Sequence, residues 1–298
     1  MAVPEPAAGG VVGRVTTLIL VMVLCGLAAL PARADVVSLR SDLWCPYNCD
    51  PDSDHPGYVI EIARTIFAQA GHRVDYHLLS WPRTLEGVRR GLFSGAVGAT
   101  MTDGRDLVFG REPVGMQVNA LALRTDRLKS GAAFHYTGVE SLRQLRLGVA
   151  MGYTYDNGPI DAYLRQDEEA PTGRVLVARG DDVVAANLRR LMSGHIDAAL
   201  DSAAVLSQTI TEMGLQGDVM VLEIGTPVPV YIAFSPVDPR AAGYVGLLDA
   251  GIARLRSGGE LAAILARYGV EDWAVRPGTG GPAKTEDHPR GSGSPPGH

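Results

Sequence analysis

The stretch GYVIEIARTIFAQAGHRVDYHLLSWPRTLEGVRRGLFSGAVGAT, residues 57–100, sets the fold class. Its first part places Val59, Ile62, Ala63, Ile66, Phe67 and Ala70 on one helical face, and Gly71 stops the helix. RVDYHLL then alternates Val74, Tyr76 and Leu78 with Arg73, Asp75 and His77, the period of a half-buried strand. A short helix carrying Leu85, Val88 and Leu92 leads into the small-residue strand GAVGAT. Strand and helix alternating in this way build a parallel sheet whose faces are covered by helices.

The pattern restarts after a polar interval at residues 125–141. LRLGVA is a strand, DAYL closes the next helix, RVLVAR is a strand, and DVVAANLRRLMSG is an amphipathic helix that Gly194 ends. HIDAAL, a helix around Val205 to Ile210, and DVMVLEI complete a second unit. VPVYIAF and the helices in GLLDAGIARLRSGG and ELAAILARYG have no sheet of their own, so they pack most economically on the first unit. The expected architecture is therefore two α/β lobes joined by two crossing strands, near residues 118–124 and 228–234. Lobe 1 takes residues 35–123 plus 229–275, and lobe 2 takes 124–228. Ligands of open α/β sheets sit at the carboxyl ends of strands, and lobe interfaces are favoured pocket positions.

The chain ends read differently. Residues 1–34 combine Arg14, the apolar run VTTLILVMVLCGLAAL and the small residues of Ala32-Arg33-Ala34, the pattern of a signal peptide cleaved near Ala34. Residues 276–298 are Gly/Pro-rich without apolar periodicity, so a disordered tail is expected. The 27 basic and 33 acidic residues give a net charge of −6, and removing Arg14, Arg33 and Glu5 makes the balance one unit more acidic. That excess argues against nucleic acid or an anionic membrane surface as partner. Of the three cysteines, Cys45 and Cys49 lie beyond the export segment, in a compartment that permits disulfides. A redox site would need a lowered thiol pKa, and oxidoreductases commonly use a C-x-x-C spacing. The blander reading is a short disulfide that fixes the turn carrying Trp44 and Tyr47.

Four strand-end loops are candidates for the cleft. GAVGATMTDGRD offers close backbone approach, hydroxyls at Thr100 and Thr102, and the planar fork of Arg105, suited to a carboxylate. GVAMGYTYDNGPID has Gly152 and Thr154 before a helix, whose free N–H groups could hold an anionic oxygen or be satisfied by an ordinary N-cap. GHIDAALDSAAVL brings Asp201 and Ser202 to the end of a strand, where a carboxylate could bind an ammonium group or cap the next helix. SDLWCPYNCDPDSDHPGY supplies aromatics that would stack on a flat or apolar ligand face.

In this order the pieces WCPYN, GYVIEIARTIFAQAG, SWPRTLEGVRRGLFSGAVGATMTDGRDLVF, SLRQLRLGVAMGYTY, LRRLMSGHIDAALDS, YIAFSPVDPR and GELAAILARYGVED resemble the family 3 extracellular solute-binding proteins, the polar amino-acid receptors of ABC transporters. The likeness spans nearly the whole chain after the export segment. It implies a two-lobed periplasmic-binding-protein fold of type II. It also implies a non-catalytic, cofactor-free periplasmic monomer that takes a small solute to an inner-membrane permease. The family's Thr-x-x-Arg element falls on Thr102 to Arg105, which implies that Arg105 clamps a ligand carboxylate. Gly98 and Thr100 would add backbone and hydroxyl contacts, and Gly152 to Thr154 the second lobe's share. Trp44 and Tyr47 fall on the family's aromatic wall, and Trp81 on an aromatic position just outside the first loop. The family's ammonium-binding aspartate falls on Ser202, with Asp201 one residue earlier and, on a regular strand, facing the other way. The ligand class thus stays open between an amino acid and an organic carboxylate without an ammonium group.

Two other function classes share the fold. A periplasmic accessory or sensory protein of a dehydrogenase or signalling system would differ only in partner. A cyclohexadienyl dehydratase-like lyase would need a proton donor in the cleft, for which Glu61, His77 and His195 are the candidates. Metal binding is not expected. Asp50, Asp52 and Asp54 begin like a calcium loop, but His55 stands where the glycine belongs, and the histidines lack helical zinc spacing.

Overall fold

The computed structural model describes residues 35–126 and 134–274. The expected export segment (1–34) and terminal tail (276–298) lie outside the described residues. The first unit runs β1 (Val36–Ser41), α1 (Tyr58–Gln69), β2 (Arg73–Leu78), α2 (Trp81–Arg89), β3 (Gly95–Ala99) and the short β4 (Gly115–Gln117). The second runs β5 (Asn119–Arg124), α3 (Val139–Leu142), β6 (Leu147–Ala150), α4 (Pro159–Glu169), β7 (Val175–Ala178), α5 (Val183–Met192), β8 (Ala198–Ser202), α6 (Ala203–Glu212) and β9 (Val219–Glu223). The chain then returns through β10 (Val228–Phe234), α7 (Ala241–Gly258) and α8 (Glu260–Ala266).

Two five-stranded sheets result, with orders β2-β1-β3-β10-β4 and β7-β6-β8-β5-β9. In each, three strands are parallel, and the strand that enters from the other lobe pairs antiparallel with the third of them: β10 with β3, and β5 with β8. The expected boundary after residue 123 is therefore displaced. β5 pairs with β8 and β9, so residues 119–123 belong to the second lobe and the crossing is at Val118. Residues 119–123, NALAL, are buried without alternation, which hid from the sequence which sheet they join.

The core of the first lobe is the apolar face read from residues 57–70. Ile60, Ile62, Ile66 and Phe67 of α1 are fully buried, together with Leu39 of β1 and Phe234 of β10. α1 starts where it does because the WCPYN turn caps it: Tyr58 N–H donates to Pro46 O at 3.0 Å and Val59 N–H to Tyr47 O at 3.0 Å. Gly57 makes this fit possible, with φ +103° and the Tyr47 carbonyl oxygen 2.4 Å from where a Cβ would sit.

Candidate functional site

The WCPYN turn is built by its backbone before its side chains act. Trp44 N–H donates to Asn48 O at 2.9 Å, Tyr47 N–H to Trp44 O at 3.0 Å, and Cys45 and Cys49 form a disulfide with Cα atoms 4.8 Å apart. Trp44 and Tyr47 consequently stack, with ring centroids 4.3 Å apart. The turn stands at the carboxyl end of β1 and faces the carboxyl end of β8 in the other lobe. Trp44 Nε1–H donates across the cleft to Asp201 Oδ1 at 2.7 Å, and Tyr153 Oη–H donates from the second lobe to Asp42 Oδ2 at 2.7 Å. The Tyr47 and Ser202 hydroxyls lie 3.4 Å apart, and Leu43 N–H donates to Asp181 O at 3.0 Å. Side chains of both lobes thus close over one cavity of about 40 Å³.

Among the residues read from sequence, Trp44, Trp81, Gly98, Thr100, Thr154, Asp201 and Ser202 line this cavity. Tyr47 stands behind Trp44, its hydroxyl donating to Met116 O at 2.7 Å. Thr102 reaches the wall only through Thr100, their hydroxyls 2.5 Å apart. Gly98 has φ +90° and brings the strand end against Asn48 Oδ1, 3.1 Å from where its Cβ would lie. Gly152 serves the lobe contact instead of the cavity: with φ +78°, its missing Cβ would stand 2.8 Å from Pro82 Cγ of the other lobe. Asp201 does turn inward, contrary to the alternation expected on a regular strand. It is the next-to-last residue of β8, where its Oδ1 accepts from both Trp44 Nε1 and its neighbour's N–H, Ser202 N, at 2.7 Å.

The groups expected to hold an anion are placed otherwise. Arg105 is exposed and takes no part in lining the cavity. Its loop is tied down by its neighbours: Arg89 Nε donates to Asp106 Oδ2 at 2.8 Å and Arg89 Nη2 to Asp103 O at 2.7 Å. Asp103 itself turns to the cavity, and its Oδ2 takes the Thr100 N–H at 2.7 Å and the Thr100 hydroxyl at 2.9 Å. In the second lobe the free N–H groups at the start of α4 are likewise taken. Asp156 accepts from Gly158 N, Ile160 N and Asp161 N, and Asp161 accepts from Tyr155 N, Asp156 N and Asn157 N. Gly158 is the N-cap residue, and Asp156, two residues before it, satisfies the Ile160 and Asp161 N–H groups, so the helix start is served from within its own loop.

Sequence reading passed over the most consequential side chain, Asp42. It is the first residue after β1, the strand-end position where an α/β sheet collects its ligands. Burial raises its pKa to about 7, against the opposing Tyr153 hydrogen bond and with added repulsion from Asp201. Burial also raises Asp201 to about 6, although Trp44 and the Ser202 N–H favour its charge. Asp103 is raised by burial as well, its bonds to Thr100 and Trp81 working against the shift. Asn48, Gln117, Asn119, Tyr153 and Tyr155 complete the wall without having been singled out. The three acids considered for a lyase lie elsewhere: Glu61 is paired with Arg267 and Tyr268, His77 with Asp75, and His195 with Ser193. Among the described residues no group of three or more His, Cys, Asp or Glu is placed to hold a metal ion, and no helix is long and apolar enough to cross a membrane.

No protein-family model matches the chain, and no curated protein matches it by sequence. Solved structures do match its fold. A histidine kinase sensor domain with similarity to periplasmic binding proteins superposes with a TM-score of 0.63 at 20% identity, over 80% of this chain and 97% of that one. The fold is that of the periplasmic binding proteins. An L-arginine-bound substrate-binding protein of an amino-acid ABC transporter from Streptococcus pneumoniae gives 0.60 at 17% identity, over 78% and 94% of the two chains. An ancestral amino-acid-binding protein, a precursor of cyclohexadienyl dehydratase, gives 0.59 at 14% identity, over 78% and 95%. These three structures differ in role, so the fold by itself leaves the function to the site.

Proposed function

We propose that this protein is an exported, non-catalytic receptor that captures a small solute between its lobes. The observation that carries the reading is a cavity at the strand ends walled by both lobes and spanned by the Trp44–Asp201 and Tyr153–Asp42 hydrogen bonds. Contacts made to both lobes are what lets a ligand favour a closed arrangement over an open one. Closing would present a new surface to a membrane permease of the ABC class. A sensory role stays the second reading, favoured by the likeness to a kinase sensor domain.

A melting-temperature screen over amino acids, organic acids, sugars and amines tests the capture role, because a bound solute stabilises by mass action. Trp44 and Trp81 line the cavity, so their fluorescence responds to the same solute. The reading is overturned if no solute in the panel moves either signal. Recovery of the solute unchanged after long incubation separates a receptor from a lyase that would use the raised Asp42 carboxyl as a proton donor. Co-purification with a permease, rather than with a kinase or a dehydrogenase, separates transport from the sensory and accessory roles.

A further inference from the structure

We infer that the solute is a small organic cation bearing N–H donors, of the guanidinium or primary alkylammonium type, without a carboxylate. This rests on the solute-capture reading above and deepens it. Hydrogen-bond supply and demand in the cavity wall lead to it. Five donors of the wall are already committed: Trp44 Nε1 to Asp201, Tyr153 Oη to Asp42, Asn48 Nδ2 to Asp42 O, Asn119 Nδ2 to Tyr155 O and Trp81 Nε1 to Asp103; the donors that remain, the Thr154 and Tyr155 hydroxyls and the Gln117 amide nitrogen, are neutral. Acceptors are left over. Asn48 and Gln117 are 1% and 5% exposed, and Asn48 Oδ1 and Gln117 Oε1 are buried without a partner at the cavity wall. A buried acceptor left unpaired is costly, so a ligand that brings N–H groups gains by satisfying these oxygens.

Charge points the same way. Asp42, Asp103 and Asp201 line the cavity, and among the described residues no Lys, Arg or His does. Burial holds both Asp42 and Asp201 above the ordinary carboxylate range, with repulsion from Asp201 adding to the shift at Asp42, and a cation in the cavity relieves these penalties. An anion would meet the opposite field, with Arg105 outside the cavity and the α4 N–H groups taken by Asp156 and Asp161. Trp44, Trp81, Tyr153 and Tyr155 also line it, and aromatic rings are compatible with a cationic ligand. The carboxylates are not grouped to hold a metal ion, and the closed cavity of about 40 Å³ suits an ion the size of a few water molecules.

The test is a titration of the full chain after export, at constant ionic strength, with methylguanidinium, methylammonium, tetramethylammonium, acetate, succinate, glycine and glucose. Melting temperature and tryptophan fluorescence are read. Methylguanidinium or methylammonium is expected to raise the melting temperature, and tetramethylammonium, which lacks N–H donors, is expected to bind at least about tenfold more weakly. Asp201→Asn is expected to weaken the cation by about tenfold or more, and Gln117→Leu, which leaves every carboxylate in place, by several-fold. A carboxylate or sugar that binds, with its binding impaired in the same variants, overturns the cation assignment and leaves solute capture standing. A cation that binds both variants as tightly as the parent sits elsewhere and also overturns the assignment. Failure of every compound, here and in the broader panel, overturns both readings.

Discussion

Asp201→Asn exchanges a buried carboxyl for an amide of nearly the same shape, and its consequence for stability has a definite sign. Asp201 is 4% exposed, and its pKa stands at about 6 instead of the ordinary 3.8 because burial outweighs the bonds from Trp44 Nε1 and Ser202 N–H. A carboxyl whose folded pKa is raised contributes its stability in full below the unfolded value and loses it as the pH rises through the folded one. The displacement from 3.8 to about 6 corresponds to about 3 kcal/mol. Asparagine has no proton to lose, so the variant lacks this decline. Stability of the variant minus that of the parent is therefore expected to grow by about 3 kcal/mol between roughly pH 4 and pH 8, whatever the constant offset from altered packing. Asp42 adds in the same direction, since the Asp201 charge is one of the causes that hold it at about 7. Urea unfolding followed by far-ultraviolet circular dichroism across that pH range measures the difference. Parallel profiles for variant and parent would refute the account of Asp201 as a buried, reluctantly charged group.

Three further outcomes follow from the placement of single residues. Arg105→Ala changes stability by no more than about 0.5 kcal/mol and leaves the affinity of any solute that enters the cavity unchanged, because the side chain is exposed outside it; a large loss of binding in calorimetry would return Arg105 to the site. Gly152→Ala costs about 1–2 kcal/mol from its left-handed backbone and drives a methyl group against Pro82, so the lobes part and the radius of gyration in X-ray scattering rises. An unchanged radius would show that the contact yields locally. Replacing Cys45 and Cys49 together by serine costs at most about 2 kcal/mol in thermal unfolding, since the loop is short and the Trp44 and Tyr47 backbone bonds still hold the turn.

The two-lobe architecture was legible because helical and strand periods are local and repeat twice along the chain. The stapled turn was legible for a similar reason: Trp44, Tyr47 and the cysteine pair are close in sequence, so one short turn had to bring them together. The contents of the cleft were not legible to the same degree. Thr102 to Arg105 carries the residue types of an anion clamp, yet Asp103 fills the Thr100 donors and the Arg89 bonds hold the loop with Arg105 outward. Asp42 looked like an ordinary polar residue after a strand, and only the approach of Tyr153 and Asp201 from the other lobe makes it a buried acid. Asp201 and Trp44 are far apart along the chain, and nothing in either neighbourhood announces their hydrogen bond. The sequence by itself determined the order of elements, the stapled turn and the strand ends that face the cleft, since these depend on neighbouring residues. Tertiary structure alone decided which carboxylates are buried there and which donors are already spent, because desolvation and hydrogen-bond pairing are properties of the space that two lobes enclose together.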